Sequence, residues 1–130
     1  NIIFVTKSAV IADDDETIRS ILEYKMSNAG YDLTVCHDGE ECRQTLDDAA
    51  ASPDVVILDV MMPRMKGTQV LRAIRRGELA VDPAVPVVML TSRGQEADVL
   101  AGLEFGADEY LTKPFSPSEV LARVERLVGG

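Results

Sequence analysis

The fold of this chain is decided by one stretch, Asp54-Val55-Val56-Ile57-Leu58-Asp59-Val60-Met61-Met62-Pro63-Arg64-Met65-Lys66-Gly67. Its β-branched and aliphatic first half predicts a strand that is buried on both faces of a sheet. Pro63 lacks the N–H that a longer strand would need, and Gly67 lets the chain turn into a helix. Asp59 therefore ends the strand, where open α/β sheets place their ligands, although taken alone it is better explained as a loop cap.

Strands and helices alternate along the chain. The hydrophobic pattern predicts strands over residues 8–12, 32–36, 55–58, 87–91 and 109–111. Helices are predicted to follow them, near residues 13–30, 39–50, 67–77, 95–105 and 116–128. Such alternation is typical of a parallel sheet with helices on both faces.

The apolar character of each strand predicts its place in the sheet. The strands that start at Ala9, Val55 and Val87 are the most apolar and should be central. Those that start at Asp32 and Glu109 are more polar and should be edges. This pattern is compatible with the strand order 2-1-3-4-5, a flavodoxin-like (βα)5 three-layer sandwich. In that order a crevice opens between strands 1 and 3.

The helices and cysteines carry further local signals. Leu100 and Leu103 are predicted to face inward from the fourth helix. A capping box opens the fifth helix at Ser116-Pro117-Ser118-Glu119. Cys36 and Cys42 are interpreted as small buried hydrophobic residues rather than as a disulfide or a ligand pair, which fits a reducing cytoplasm.

The composition limits the domain count and excludes several functions. A chain of 130 residues is one domain, predicted over residues 8–130 after an N-terminal extension or processing remnant over residues 1–7. The net charge of −9 disfavours direct binding to nucleic acid, and no apolar run approaches the length of a membrane span. His37 is the only histidine, which leaves little material for a histidine-based metal site or catalytic triad.

Acidic residues follow two of the central strands. Asp13 and Asp14 come after strand 1 and Asp59 ends strand 3, so the predicted order brings three carboxylates to one crevice. Their repulsion would raise their pKa values unless a hard cation such as Mg²⁺ neutralised it. Thr91 ends strand 4 and Lys113 follows strand 5, and both can contact phosphoryl oxygens. Together these residues predict phosphoryl transfer onto Asp59.

Four motifs that carry these residues occur in order along the chain. They are Ala12-Asp13-Asp14-Asp15, Ile57-Leu58-Asp59-Val60-Met61-Met62-Pro63, Met89-Leu90-Thr91-Ser92 and Gly106-Ala107-Asp108-Glu109-Tyr110-Leu111-Thr112-Lys113-Pro114-Phe115. As a set they resemble the receiver domains of two-component response regulators, over roughly residues 8–128. The resemblance implies a phosphoacceptor switch that catalyses only its own phosphorylation and dephosphorylation, and not an enzyme with a separate substrate.

The resemblance also assigns a role to each acid. It implies that Asp59 is the phosphoacceptor and that Asp13, Asp14 and Asp59 hold Mg²⁺, with Mn²⁺ as an alternative ion. The backbone carbonyl of Met61 would complete the protein ligands of the metal.

A second group of residues would respond to the phosphoryl group. The resemblance implies that Thr91 senses it, that Lys113 pairs with it and that Tyr110 is the aromatic switch residue. A cis peptide bond is expected before Pro114. Thr91 would move toward the phosphoryl group and Tyr110 would fill the space it leaves, which shifts the population between two forms of the domain.

The resemblance implies the partners as well. The phosphoryl donor would be a sensor histidine kinase or a histidine phosphotransfer protein in the cytoplasm. The output would be a domain outside this chain or a separate protein, reached through the face of helix 4, strand 5 and helix 5. No direct contact with nucleic acid or with a membrane is expected.

A phosphorylation-dependent homodimer is a further expectation, and the face of helix 4, strand 5 and helix 5 is the first place to look for it. Winged-helix transcription factors of the family typically dimerise there through ion pairs between chains, and Glu109 and Arg123 match one such pair. Glu119 matches the acidic member of another pair, but Val99 stands where its basic partner would be. We therefore expect this face to serve another partner or a different dimer.

Three alternative functions fit the residues less well. An aspartyl-phosphate phosphohydrolase would need an acid two residues after the nucleophile, where this chain has Met61, and a cap domain. A docking module of the same fold without phosphorylation would not need the full set of site residues. A flavin or nucleotide binder would need a Gly-rich or Ser/Thr-rich turn after strand 1, where this chain has three aspartates.

Overall fold

The computed structural model describes residues 6–92 and 95–129, which form five strands and five helices. The strands are β1 (Lys7–Ala12), β2 (Tyr31–Cys36), β3 (Val55–Asp59), β4 (Val87–Thr91) and β5 (Glu109–Thr112). The helices are α1 (Glu16–Asn28), α2 (Gly39–Leu46), α3 (Gly67–Arg75), α4 (Glu96–Phe105) and α5 (Pro117–Val128). Residues 1–5 of the predicted N-terminal extension lie outside the described residues, and β1 already includes Lys7.

The strands pair in parallel in the order β2-β1-β3-β4-β5, which confirms the predicted flavodoxin-like winding. Every residue of the central strands β3 and β4 is buried. Ala12 pairs with Leu58, and Asp59 pairs with Leu90, so the three central strands end at nearly the same level. The carboxyl ends of β1 and β3 therefore open onto one edge of the sheet, at the point where the strand order reverses.

Apolar side chains cover both faces of the sheet and produce three layers. On one face, α1 and α5 contribute buried residues such as Leu22 and Val124. On the other face, α2 and α3 contribute Leu46, Leu71 and Ile74. Each fully buried side chain of this size contributes roughly 1.5–3 kcal/mol, so these helices hold the sheet firmly from both sides.

Helix α2 is shorter than predicted and ends at Leu46 rather than near residue 50. The Val81 N–H donates to the Leu46 carbonyl over 3.0 Å, and the Ala80 N–H donates to the Asp47 carboxylate over 3.2 Å. Both donors come from the loop after α3. The Leu46 carbonyl, which a further helical turn would have used as an acceptor, is thereby already bonded. The predicted extension of α2 is wrong because this loop competes for the end of the helix.

The inward face predicted for α4 is wrong. Leu100 and Leu103 are 64% and 56% exposed, and Gly102 is the buried residue of this helix. The Tyr110 ring lies against Gly102, where an added Cβ would overlap its hydroxyl oxygen. Helix α4 therefore approaches β5 through its glycine and leaves its leucines on the surface.

Capping and burial elsewhere follow the local sequence signals. Ser116 caps α5, since its hydroxyl oxygen accepts the Glu119 N–H over 3.1 Å. Cys36 and Cys42 are free thiols at 0% exposure, as predicted. Across the described ranges, none of the helices combines the length and the apolar character that crossing a membrane requires.

Candidate functional site

Asp59 is the last residue of β3 and is only 4% exposed. The pairing with β4 continues one residue beyond it, since the Val60 N–H donates to the Leu90 carbonyl over 2.9 Å. The loop that follows is closed by the Gly67 N–H, which donates to the Val60 carbonyl over 2.8 Å. A Cβ on Gly67 would overlap the Asp59 carbonyl oxygen, so only glycine lets α3 begin this close to the strand. The start of α3 thus fixes the backbone that carries the Asp59 carboxylate.

Asp13 lies directly beyond β1 and is fully buried. Its backbone N–H donates to the Cys36 carbonyl over 3.3 Å, and its Oδ1 accepts the Asp15 N–H over 2.9 Å. Asp15 caps α1 with its own carboxylate, whereas Asp14 is exposed. These bonds fix the Asp13 carboxylate and leave its second oxygen, Oδ2, for a contact across the crevice.

Lys113 joins the two buried carboxylates. Its Nζ donates to Oδ2 of Asp13 over 2.9 Å and lies 3.3 Å from Oδ1 of Asp59. Its backbone N–H donates to the Thr91 carbonyl over 2.6 Å, and the bond to Pro114 is cis, as predicted. Because its side chain is only 17% exposed, the ammonium meets both acids in a site that is largely out of water.

The charges in the crevice shift one another's pKa values. Burial and the neighbouring Asp13 raise the pKa of Asp59 from 3.8 to about 7, against the opposing effect of Lys113. Burial lowers the pKa of Lys113, but its bonds to Asp13 and Asp59 outweigh this effect and leave the pKa raised. One ammonium therefore does not balance the carboxylates, and the crevice favours a further cation.

The three acids predicted as metal ligands come together at this edge. One carboxylate oxygen from each of Asp13, Asp14 and Asp59 lies within 4.8 Å of the others. Oxygens from two buried carboxylates and one exposed carboxylate suit Mg²⁺, which keeps several waters and accepts phosphoryl oxygens. The residues present therefore fit a magnesium ion. Met61, two residues beyond Asp59, is 42% exposed, and its carbonyl remains a predicted ligand.

Thr91 ends β4 beside the crevice and is 4% exposed. Its hydroxyl lies 2.9 Å from Oε1 of Gln95 and 3.3 Å from the Ser92 carbonyl. Among the described residues, Asp59 is not a hydrogen-bond partner of this hydroxyl. The sequence predicts the place of Thr91 but not its contact with Gln95, whose only signal is its position just before α4.

The predicted switch residue, Tyr110, lies in β5 and packs partly against the core on the α3 side of the sheet. Its hydroxyl is buried and finds no hydrogen-bond partner in the part of the chain that the structure describes. Burial, with a smaller effect of Asp98, raises the pKa of Tyr110 to about 12. An unpaired buried hydroxyl costs roughly 1–3 kcal/mol, so this placement of the ring carries a cost that exposure would relieve.

Glu109, at the start of β5, is bonded within the chain. The side chain of Arg126 bonds to it, and Nη1 of Arg123 donates to it over 3.1 Å. The hydrogen bond from Arg126 is the main reason why the pKa of Glu109 is lowered. Glu119 is exposed, and Val99 lines a groove beside α4. The different dimer or partner expected for this face stays a prediction, and sequence reasoning missed the bond from Arg126.

Several known proteins are similar in sequence to this chain. The family model described as response regulator receiver domain matches residues 9–125. The chain is 40% identical over 124 residues to the alkaline phosphatase synthesis transcriptional regulatory protein PhoP of Bacillus subtilis, covering 95% of this chain and 49% of PhoP. It is 41% identical over 119 residues to the transcriptional regulatory protein CpxR of Escherichia coli (strain K12), covering 92% of this chain and 48% of CpxR. The chain thus spans about half the length of these relatives.

A solved structure shares the fold as well. The receiver domain of the Francisella response regulator 1452 matches 95% of this chain and 98% of its own, with a TM-score of 0.83 at 32% identity. The region matched by the family model includes Asp13, Asp59, Thr91 and Lys113, which the structure brings to one crevice. This chain therefore belongs to the family of receiver domains of two-component response regulators.

Proposed function

We propose that Asp59 is the phosphoacceptor of this receiver domain and takes a phosphoryl group from a phosphohistidine. The donor would be a sensor histidine kinase or a histidine phosphotransfer protein in the cytoplasm. One observation carries the proposal: Asp59 is a buried carboxylate at the end of a central strand, 3.3 Å from the Lys113 ammonium. An ammonium in this position can pair with phosphoryl oxygens as well as with the carboxylate.

The transfer exchanges one bond to phosphorus for another. A carboxylate oxygen of Asp59 bonds to phosphorus while the phosphorus–nitrogen bond of the phosphohistidine breaks. The electron pair of that bond stays on the imidazole, which leaves as a neutral ring because its other nitrogen keeps a proton. Water later hydrolyses the aspartyl phosphate to the carboxylate and inorganic phosphate, so the domain resets itself and needs no separate substrate.

The acids of the crevice would hold Mg²⁺, or Mn²⁺ as an alternative. The close approach of carboxylate oxygens from Asp13, Asp14 and Asp59, within 4.8 Å, supports this assignment, and the Met61 carbonyl would be the remaining protein ligand. When bound, the ion supplies positive charge that offsets the charge of the phosphoryl oxygens. Lys113, which bonds to Asp13 and lies beside Asp59, would supply a second positive group.

A donor protein must reach Asp59 and therefore contacts the rim of the crevice. A hollow of about 150 Å³ at this rim is lined by Lys113 and by apolar residues that include Ile18, Ile21 and Phe115. Ile21 and Tyr24, both on α1, are 43% and 73% exposed. An exposed apolar patch beside the acceptor fits contact with the donor protein.

The output would be reached through the face of α4, β5 and α5. In the phosphorylated form, the Thr91 hydroxyl donates a hydrogen bond to a phosphoryl oxygen and Tyr110 changes its position. Because PhoP and CpxR are named as transcriptional regulatory proteins, an output domain that controls transcription, outside this chain, is the first candidate partner. A phosphorylation-dependent homodimer is also part of this proposal, but one that does not use the ion pairs typical of winged-helix relatives, because Val99 stands where one basic member of those pairs would be.

Phosphorylation by a small donor tests the assignment directly. The chain is incubated with acetyl phosphate and Mg²⁺, and its intact mass is measured. The wild type should gain one phosphoryl group and Asp59→Asn none. Asp32→Asn, on the exposed part of the edge strand β2, is the matched control and should be labelled like the wild type. Labelling of Asp59→Asn would overturn the assignment, and no labelling of the wild type would favour a docking module.

A further inference from the structure

The Thr91 hydroxyl is oriented by Gln95. Oε1 of Gln95 lies 2.7 Å from the backbone nitrogen of Ser92 and 2.9 Å from Oγ1 of Thr91. The Ser92 N–H can only donate, so the amide atom that faces it must be the oxygen. A carboxamide oxygen can only accept, so Thr91 is the donor in its bond to Gln95.

A threonine hydroxyl has a single proton to donate. In this structure its acceptors are the Gln95 amide oxygen and, at 3.3 Å, the Ser92 carbonyl. We propose that Gln95 is a positioning residue whose amide oxygen competes with the phosphoryl group of Asp59 for this proton and so favours the unphosphorylated form. The proposal rests on the proposed function of Asp59, since the competitor is the phosphoryl group formed there.

Gln95, which competes for the Thr91 proton, is also the N-cap residue of α4. Its backbone carbonyl accepts the Val99 N–H over 3.0 Å, which is the first hydrogen bond of the helix. Its side chain lines a groove of about 410 Å³ together with Thr91, Val99 and Leu100. When Thr91 turns to a phosphoryl oxygen, Gln95 loses one of its two donors at the base of this groove. Phosphorylation of Asp59 therefore changes the hydrogen bonding of a residue that lines a partly apolar surface of α4.

In the first test the variants are measured without phosphodonor or metal, and only the wild-type reference spectrum needs beryllofluoride with Mg²⁺. Gln95→Ala removes the competing acceptor and leaves Thr91 in place. In NMR spectra of the free protein, the amide signals of Thr91 and Tyr110 should move along the line that joins the free and beryllofluoride-bound positions of the wild type. Gln95→Glu keeps an acceptor oxygen and should return the signals toward the wild-type positions. Gln44→Ala, at an exposed glutamine on α2, is the matched control and should not move them.

The second test measures the affinity for beryllofluoride in the presence of Mg²⁺. Gln95→Ala should bind about fivefold more tightly than the wild type, the effect of removing one competing hydrogen bond. In a Thr91→Ala background the same change should have no effect, because the hydroxyl that both acceptors compete for is gone.

The outcomes separate the two proposals. If Gln95→Ala changes the affinity equally in both backgrounds, it acts through the stability of α4 and the competition is refuted. If the wild type binds beryllofluoride but Gln95→Ala leaves both spectra and affinity unchanged, only the role of Gln95 fails. If Asp59→Asn binds beryllofluoride like the wild type, the proposed function itself fails.

Discussion

Helices α3 and α4 pack side by side, but they are attached to the sheet in very different ways. Six of the nine residues of α3 are buried, and Leu71 and Ile74 are at 0% exposure. Helix α4 has ten residues and buries Gly102 alone, with Leu100 and Leu103 on the surface. Apolar burial therefore holds α3 in place and contributes little to holding α4.

This difference divides the site into a rigid part and a movable part. Asp59 belongs to the rigid part, because α3 begins against its carbonyl at Gly67. The side chains of Thr91 and Tyr110 belong to the movable part because both contact α4. The Thr91 hydroxyl bonds to Gln95 just before the helix, and the Tyr110 ring packs against Gly102. Elements that move in switching come from the least stable parts of a fold. The proposed acceptor needs a fixed carboxylate, whereas the proposed sensor residues need a helix that can shift.

A Leu→Ala substitution in each of the two helices tests whether α3 is held by burial more firmly than α4. Leu71→Ala leaves a cavity under α3 and should lower the free energy of unfolding by about 2–5 kcal/mol. Leu100→Ala removes a side chain that is 64% exposed and should change this free energy by less than about 0.5 kcal/mol. Urea unfolding followed by circular dichroism measures both. Similar losses for the two variants would show that α4 is held as firmly as α3.

The rigid part holds Asp59 buried beside Asp13, and this lowers the free energy of unfolding by an amount that depends on pH. Because burial and Asp13 raise the pKa of Asp59 from 3.8 to about 7, the folded state binds this proton more tightly than the unfolded state does. The stability that the proton contributes is complete below the unfolded-state pKa of 3.8 and is lost as the pH rises through about 7. The full shift in the pKa of Asp59 corresponds to a change of at most about 4 kcal/mol in the free energy of unfolding.

Asp59→Asn removes this titration. In the presence of EDTA, the variant should be more stable than the wild type at about pH 8, by up to about 4 kcal/mol, and the gap should close toward about pH 4. Thermal unfolding across this pH range measures the gap, and Asp32→Asn, at an exposed position, is the control that should show none. Adding Mg²⁺ should stabilise the wild type more than Asp59→Asn. A gap that is independent of pH would refute the raised pKa of Asp59.

Two Gly→Ala substitutions, one in each helix, should have smaller effects on stability that again differ between α3 and α4. An alanine at Gly67 would overlap the Asp59 carbonyl oxygen, which belongs to the backbone and cannot move aside, so we expect a loss of about 1–3 kcal/mol. An alanine at Gly102 would overlap the Tyr110 hydroxyl, and the ring can rotate away. The gain of about 1 kcal/mol in helix propensity should offset most of that cost.

Two measurements are made on both Gly67→Ala and Gly102→Ala. Urea unfolding gives the two stabilities, and the NMR signals of the Tyr110 ring show whether it has left its place beside α4. Gly102→Ala should shift the ring to a solvent-exposed environment, whereas Gly67→Ala should leave its signals unchanged. An undisturbed ring in Gly102→Ala, with a loss of stability as large as that of Gly67→Ala, would mean that α4 and Tyr110 are fixed to each other.

The central places of β1, β3 and β4, and the residues that meet in the crevice, could be predicted from the sequence, whereas the order 2-1-3-4-5 was only compatible with that pattern. Strands rich in β-branched residues are stable only when they are buried, which places β3 and β4 in the centre of the sheet. Parallel strands also bring their carboxyl ends to one edge, so the residues at those ends must meet there. They are Asp13, Asp59, Thr91 and Lys113. These conclusions need only the local pattern and the geometry of a parallel sheet.

Which face of α4 is buried was decided only by the tertiary structure. Helical periodicity shows which residues share a face, but it does not show whether a neighbouring element covers that face. Leu100 and Leu103 mark an apolar face, yet α4 meets the sheet at Gly102, because glycine alone leaves room for the Tyr110 ring.

The contacts between distant parts of the chain were likewise beyond the sequence. Helix α2 ends where the Val81 N–H reaches the Leu46 carbonyl, and Thr91 donates to Gln95 because of one side-chain orientation in a loop. The net free energy of such a bond is roughly 0.5–1.5 kcal/mol, about as large as the difference between competing local conformations. The local pattern therefore leaves the choice open, and the packing of the whole domain makes it.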